Sequence, residues 1–144
     1  MLYRVIDAEE LPTLIEAFMK DYDVIAPVKS GRSFAFEKVD SFDDIVLDYP
    51  TTLTSLKRHF LPSRETLFEF NSDGVTDYEL TVKPKVLFGA HACDINALNN
   101  LNLVFEDSRY PDPYFNAHKE STMVIGISCT PTDTCFCHLL DSDE

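Results

Sequence analysis

Four cysteines are the residues of this 144-residue chain whose type and spacing point most directly to chemistry. Cys129, Cys135 and Cys137 lie close together near the end of the sequence, and Cys93 stands upstream. Four thiolates are the number that one cubane iron–sulfur cluster or one structural zinc ion requires. The intervening "TPTDT" contains a proline and turn-forming residues, so it can wrap around an ion or a cluster. We therefore predict that these four residues bind a metal or a cluster.

Three other interpretations of the cysteines stay open beside a [4Fe–4S] cluster. Structural zinc sites usually space their thiols two to four residues apart in pairs, and the single residue between Cys135 and Cys137 fits that habit poorly. The same two residues could instead form a C-x-C redox pair, although a C-x-x-C dithiol is absent from the sequence. The simplest interpretation is four reduced cysteines that act as small hydrophobic side chains.

Two strands and the helix between them are expected to position the cysteines. "KVLFGA" and "STMVIGIS" are typical of buried strands, and "CDINALNNLNLVF" is typical of a helix. A right-handed crossover makes such strands parallel, with their carboxyl ends at one edge of the sheet. Cys93 follows the first strand and Cys129 follows the second, so both thiols can face the crevice where open α/β sheets bind ligands. We also expect Asp94 to cap the helix, and the helix N-terminus to lower the pKa of the Cys93 thiol.

The upstream half of the sequence predicts further elements of an α/β fold. "DAEELPTLIEAFMKDYD" is an amphipathic helix with Leu11, Leu14, Ile15 and Phe18 on one side. "DVIAPVK", "GRSFAFEKV" and "ETLFEF" are predicted strands, "LTSLKRHF" is a short helix, and "NSDGVTDYE" is a polar loop with a turn at Asp73-Gly74. We predict one domain over residues 1–144, with a mixed sheet, a C-terminal β-α-β unit whose strand ends present the cysteines, and a cysteine-bearing tail over residues 128–144.

Charge and hydropathy exclude several classes of partner. The chain carries 12 Lys and Arg against 25 Asp and Glu, for a formal net charge of −13. Because nucleic-acid affinity rests on basic residues that displace counterions, a nucleic-acid partner is not expected. The first residues lack the apolar core of a signal peptide, and no apolar run approaches the roughly 18 residues of a membrane span. We expect a cytoplasmic protein without membrane insertion, in a reducing compartment where clustered cysteines are more often metal ligands or redox thiols than disulfides.

The remaining residues do not form a recognisable catalytic set. The sequence lacks G-x-G-x-x-G, G-x-x-x-x-G-K, H-E-x-x-H and G-x-S-x-G patterns, which argues against dinucleotide, nucleotide and common hydrolase sites. His91 and His138 neighbour cysteines and are weaker candidates for ligands or for hydrogen-bond donors to them. We therefore expect a non-catalytic component and identify no small-molecule substrate.

Three segments carry a family resemblance. "KRHFLPSRETLFEF", "KPKVLFGAHACDINAL" and "PDPYFNAHKESTMVIGISCTPTDTCFC" resemble, in that order, the amino-terminal region of the iron–sulfur subunits of the anaerobic sulfite reductase A type and the sulfhydrogenase (hydrogenase) beta type. The resemblance covers about Lys57 to Cys137. Its most specific feature pairs a G-x-x-x-C-D turn with a downstream C-x5-C-F-C.

The resemblance implies an electron-transfer subunit of a multisubunit anaerobic oxidoreductase, such as a hydrogenase or a sulfite reductase. It implies Cys93, Cys129, Cys135 and Cys137 as ligands of one [4Fe–4S] cluster, and other subunits of a redox complex as partners. Family members continue into ferredoxin-type cysteine runs that this sequence lacks. We expect the N-terminal domain of a longer iron–sulfur subunit, with a shortened relative of the family as the other interpretation. The alternative is a non-catalytic assembly module with structural zinc or reduced cysteines.

Overall fold

A four-stranded mixed sheet forms the centre of the molecule in the computed structural model, which describes residues 5–78, 80–106 and 109–140. The strands are β1 Asp23–Ser30, β2 Ser33–Lys38, β3 Phe68–Asn71, β4 Gly74–Asp77, β5 Lys85–Ala90 and β6 Thr122–Gly126. The strand order is β2-β1-β5-β6, and a separate two-stranded sheet contains β3 and β4. The β1–β2 pair is antiparallel, whereas β1–β5 and β5–β6 are parallel. This architecture confirms the predicted α/β fold with a mixed sheet.

Three α-helices accompany the sheet, and each face of the sheet carries its own hydrophobic cluster. The helices are α1 Leu11–Phe18, α2 Ala92–Phe105 and α3 Pro113–Glu120. One cluster contains Leu87 with Leu98 of α2 and Phe115 of α3, whereas the other contains Val86 with Ile15 of α1. Because β5 is buried from both sides, its sequence is a continuous apolar run, as is typical of a central parallel strand. None of the described helices has both the length and the apolar character needed to span a bilayer.

The predicted helix near the start of the chain is confirmed but shorter, with a 3₁₀ turn at Ala8–Glu10 leading into α1. Ile15 is fully buried, and Leu11 and Phe18 are partly buried against the same cluster. Leu14 remains 40% exposed. It lies about 100° around the helix axis from Ile15, at the margin of the buried face.

Two predicted elements differ in the structure. The prediction that "NSDGVTDYE" is a loop is wrong in part, because Gly74–Asp77 is a strand that pairs antiparallel with Phe68–Asn71. A tight turn at Ser72-Asp73 joins these strands, with the Asp73 amide donating to Asn71 Oδ1 at 2.8 Å. The "LTSLKRHF" helix is a single 3₁₀ turn, Leu56–His59.

Helix α3 within the β5–β6 connection was not predicted as a separate element. Its start carries a recognisable signal, since Asp112 precedes Pro113 at the first helical position. Asp112 Oδ1 accepts hydrogen bonds from the amides of Tyr114 and Phe115, both at 2.9 Å. The crossover between the two parallel strands therefore contains two helices, α2 and α3.

Candidate functional site

An irregular end of β5 directs the chain into the candidate site. The β5–β6 register shifts between Phe88 and Ala90, and Gly89 adopts a φ of +89°. A Cβ at Gly89 would lie 3.0 Å from Pro27 Cδ of β1, so glycine satisfies both the backbone conformation and the close approach. The Tyr49 hydroxyl donates to the Gly89 carbonyl at 2.7 Å and so fixes this bulge from outside the sheet.

Cys93 is the second residue of α2, immediately after this bulge. The helix begins at Ala92 with His91 as its N-cap, and the His91 carbonyl accepts from the Asp94 and Ile95 amides at 3.0 and 3.1 Å. The prediction that Asp94 caps the helix is therefore wrong. The helix starts earlier than predicted, so Asp94 lies within its first turn.

The predicted lowering of the Cys93 pKa is also wrong. Partial burial of the thiol raises its pKa first, and the negative charge of Asp94 raises it further. A hydrogen bond with the Asp94 backbone acts in the opposite direction but does not outweigh these effects. Burial of the thiol, followed by the carboxylate in the same helical turn, thus raises the pKa of Cys93 at a position where a helix N-terminus alone would lower it.

Cys129 occupies the corresponding position after β6. Ala90 and Gly126 are paired at the ends of β5 and β6, and each cysteine stands three residues beyond its strand. The Ile127 amide donates to the Ala90 carbonyl at 2.9 Å, which joins the two departing segments. Burial, followed by the charges of Cys137 and Cys135, raises the pKa of the Cys129 thiol.

Cys135 lies at the end of a tight turn in the tail. The Cys135 amide donates to the Thr132 carbonyl at 2.9 Å, which closes the turn. Thr132 N lies 3.3 Å and Thr132 Oγ1 lies 3.2 Å from Cys135 Sγ. The Thr132 hydroxyl and then its amide stabilise the thiolate and lower the pKa of Cys135. A 3₁₀ turn, Cys137–Leu140, follows directly.

The structure brings the four cysteines to one edge of the sheet. Cys93, Cys135 and Cys137 line one cavity of about 360 Å³, whereas Cys129 lines an adjoining cavity of about 290 Å³. Thr132 lines both cavities. The charges of Cys129 and Cys137 both contribute to the raised pKa of Cys93, so these thiols lie within electrostatic reach of one another.

These thiols do not form a closed metal site in the present arrangement. All four cysteines lie in the described part of the chain, and none forms a disulfide. Across residues 5–78, 80–106 and 109–140, no three His, Cys, Asp or Glu side chains are close enough to hold one metal ion. The joint role of the four cysteines as ligands therefore stays a prediction. Their donor chemistry fits an iron–sulfur cluster, because four thiols face one edge and Cys135 Sγ already has two hydrogen-bond donors within reach.

Tyr49 and Thr132 are the residues that sequence reasoning missed at this site. Tyr49 is 4% exposed, its ring stacks on His91, and burial raises the pKa of its phenol. Its position in the loop before Pro50 carries no sequence signal for a contact with Gly89 so far along the chain. The signal for Thr132 is its location three residues before Cys135, where a turn can return its amide and hydroxyl to the sulfur.

The two histidines that neighbour cysteines differ in position. His91 is only 5% exposed and lines the cavity that contains Cys129. Burial lowers the pKa of its imidazole. His138 lies exposed in the last 3₁₀ turn. Ligation by either histidine remains an untested interpretation.

Fold and site together define an α/β domain that gathers four thiols beside the ends of two parallel strands. Sulfhydrogenase 2 subunit beta of Pyrococcus furiosus is 34% identical to this chain over 143 residues, which cover 99% of this chain and 42% of that protein. This similarity confirms the predicted family relationship: the chain is a relative of sulfhydrogenase beta subunits. The chain thus spans less than half the length of this curated relative. No family model matches the chain, and no solved structure matches it.

Proposed function

We propose that this chain is the cluster-binding domain of an electron-transfer subunit in a hydrogenase-type oxidoreductase. Residues 1–144 form one domain of a longer iron–sulfur subunit, with residues 128–144 as its cysteine-bearing tail. Cys93, Cys129, Cys135 and Cys137 hold one [4Fe–4S] cluster. The observation that carries this proposal is the matched position of Cys93 and Cys129 beyond two paired strand ends, with Cys135 and Cys137 beside them.

The distribution of the four thiols over two adjoining cavities favours a cluster over a single ion. Tetrahedral zinc with Zn–S bonds of about 2.3 Å requires sulfur atoms about 3.8 Å apart. A cubane cluster places four irons between its ligands, so the ligand sulfur atoms lie farther apart than around a single ion. Thiols that line two adjoining cavities are better suited to surround a group of that size than to close on one ion.

The bound cluster supplies a one-electron carrier, and the chain supplies its binding and surroundings. Cys93 is held by α2, whereas Cys129, Cys135 and Cys137 belong to the tail. Binding would therefore fasten the tail to the folded sheet, since the ligands come from both. The Phe136 ring lines the cavity, where an apolar side chain would limit the access of water to a bound cluster.

The surface beside the cysteines suits contact with another redox subunit. Phe136, Leu139 and Leu140 are 63%, 74% and 66% exposed, and Phe136 and Leu140 also line the cysteine cavity. Electron transfer requires a short distance between carriers, so an apolar surface at the cluster is where a partner would dock. The Pyrococcus relative is named as a subunit, which supports other subunits of a redox complex as partners. We place this complex in the reducing cytoplasm.

A second candidate is an assembly module whose cysteines bind structural zinc or remain reduced. The absence, among the described side chains, of three metal ligands at ion-binding distance favours the form in which the cysteines remain reduced. The same thiols without any metal would leave Cys135 and Cys137 as a C-x-C pair.

Metal analysis of the full chain distinguishes these candidates. The chain is purified anaerobically and reconstituted with iron and sulfide, and its iron, acid-labile sulfide and zinc are measured. We expect roughly four irons and four sulfides per chain. The variants C93S, C129S, C135S and C137S should each lose most of the cluster, whereas S128A, at the neighbour of Cys129, should keep it. One zinc per chain and no sulfide would support the assembly module.

A further inference from the structure

We propose that the Thr132 hydroxyl sets the reduction potential of the cluster by donating a hydrogen bond to Cys135 Sγ. This inference rests on the proposed function, because it concerns the cluster that the four cysteines would hold. It assigns a role to a residue that is not a ligand and that lines both cavities of the site.

The geometry of the turn carries the proposal. Thr132 Oγ1 lies 3.2 Å and Thr132 N lies 3.3 Å from Cys135 Sγ, so one residue directs two groups at the same sulfur. Thr134 Oγ1 lies 3.1 Å from Thr132 Oγ1. The hydrogen bond from the Cys135 amide to the Thr132 carbonyl, at 2.9 Å, closes the turn through backbone atoms of the chain itself. This turn holds both donor groups of Thr132 beside the Cys135 sulfur.

The ligand state of Cys135 fixes the direction of these hydrogen bonds. A cluster-bound sulfur carries no proton, so the Thr132 hydroxyl must be the donor to it. The Thr134 hydroxyl can then donate to Thr132 Oγ1, which makes the Thr132 hydroxyl a stronger donor through polarisation. The backbone N–H of Thr132 adds a second donor whose strength does not depend on the side chain.

Hydrogen bonds to cluster sulfurs act unequally on the two redox states. Reduction adds negative charge that is shared with the ligand sulfurs, so a donor stabilises the reduced cluster more than the oxidised one. The hydroxyl of Thr132 thus raises the reduction potential. Removal of this hydroxyl should make the cluster harder to reduce while the four ligands remain in place.

The test is a redox titration of the anaerobically reconstituted chain, followed by electron paramagnetic resonance. T132V removes the hydroxyl but keeps the backbone donor, and T132S restores the hydroxyl. We expect the ratio of reduced to oxidised cluster in T132V to fall about threefold to tenfold at a fixed potential, which is about 28 to 59 mV for one electron at 59 mV per tenfold. T132S should match the unmodified chain, and T134V should shift the ratio in the same direction by less.

Any of the following results would overturn the proposal. Equal midpoint potentials for T132V and the unmodified chain, with equal iron contents, would overturn this proposal and leave the cluster itself in place. A fall in potential that T132S shares would also overturn it, because the hydroxyl would not be the cause. If T132V and T132A both lose the cluster while T132S keeps it, Thr132 is needed for assembly and the tuning role is wrong. An unmodified chain that takes up no cluster would overturn the proposed function and this inference with it.

Discussion

The ring of Tyr49 stacks on the imidazole of His91, with centroids 4.2 Å apart and planes inclined by 11°. Both residues are almost fully buried, and the Tyr49 hydroxyl also donates to the Gly89 carbonyl at 2.7 Å. Tyr49 thus contacts the connection between β5 and α2 at two residues. One is Gly89, and the other is His91, the N-cap of the helix that carries Cys93. The position of Cys93 therefore depends on a residue from a loop that is distant in the sequence.

Tyr49→Phe removes the hydroxyl and keeps the stacked ring. We expect a loss of about 1–2 kcal/mol in the free energy of unfolding, because the buried Gly89 carbonyl loses its donor. Denaturant titration followed by circular dichroism measures this loss. Tyr110→Phe is the matched control, since Tyr110 is 85% exposed and should change stability by less than about 0.5 kcal/mol. Equal stabilities for the two variants would contradict this role for the hydroxyl.

Gly89→Ala should destabilise the chain more than Gly31→Ala. Both positions have positive φ values, of +89° and +61°, but only at Gly89 would the new Cβ meet a neighbour, Pro27 Cδ at 3.0 Å. Backbone strain costs about 1–2 kcal/mol at either position, and the contact with Pro27 adds to it at Gly89 alone. Denaturant unfolding of both variants measures the difference. A Gly31→Ala variant at least as unstable as Gly89→Ala would show that the bulge tolerates a side chain.

His59 should make the stability of the chain depend on pH. Its pKa is lowered to about 4, first by burial and then by the positive charges of Lys85 and Arg58. In the unfolded chain an imidazole titrates at about 6.5. Between these two values the unfolded chain binds roughly one proton more at this residue than the folded chain does. Stability is therefore fully present above about pH 6.5, falls as the pH drops toward 4, and loses nothing further at this residue below that pH.

The measurement for His59 is the free energy of unfolding at several pH values for the unmodified chain and for His59→Gln. Carboxyl groups titrate in the same range in both, so only the difference between the two curves reports on His59. We expect the unmodified chain to lose more stability than the variant between pH 6.5 and 4. Parallel curves would show that the imidazole is free to accept a proton in the folded chain.

Asp112 should contribute to stability as the N-cap of α3. Asp112→Ala removes the acceptor of two backbone amides and should cost about 1 kcal/mol, because both amides then lose their partner. Asp112→Asn keeps a side-chain oxygen and should retain most of the stability. Thermal unfolding of both variants measures the effect. A loss as large in Asp112→Asn as in Asp112→Ala would point to the charge of the carboxylate instead of its capping geometry.

The β-α-β unit was predictable because its signals are local. The buried run of β5 and the helical pattern of α2 are visible in the sequence alone, and the parallel pairing of β5 with β6 follows from their connection. The β3–β4 hairpin was less accessible, since Phe70 and Val75 are 79% and 72% exposed and its polar turn resembles a loop. The sequence did not show that β3 and β4 pair with each other, so the hairpin was not predicted.

The chemistry of the candidate site was predictable only in part. The number and spacing of the cysteines identify them from sequence, but the pKa of Cys93 depends on how far the thiol is buried and on where α2 begins. A cap at Asp94 would have placed Cys93 before the helix, whereas the cap at His91 places both residues in its first turn. The contact between Tyr49 and Gly89 joins residues 40 positions apart, so no local pattern announces it.

Thiol alkylation of the anaerobically reconstituted chain, read by mass spectrometry at each cysteine, tests the central claim most directly. If one cluster binds all four thiolates, then Cys93, Cys129, Cys135 and Cys137 are protected together and become reactive together when a chelator removes the iron. Reaction of Cys93 at the same rate before and after iron removal, while the tail cysteines gain reactivity, would contradict a shared cluster.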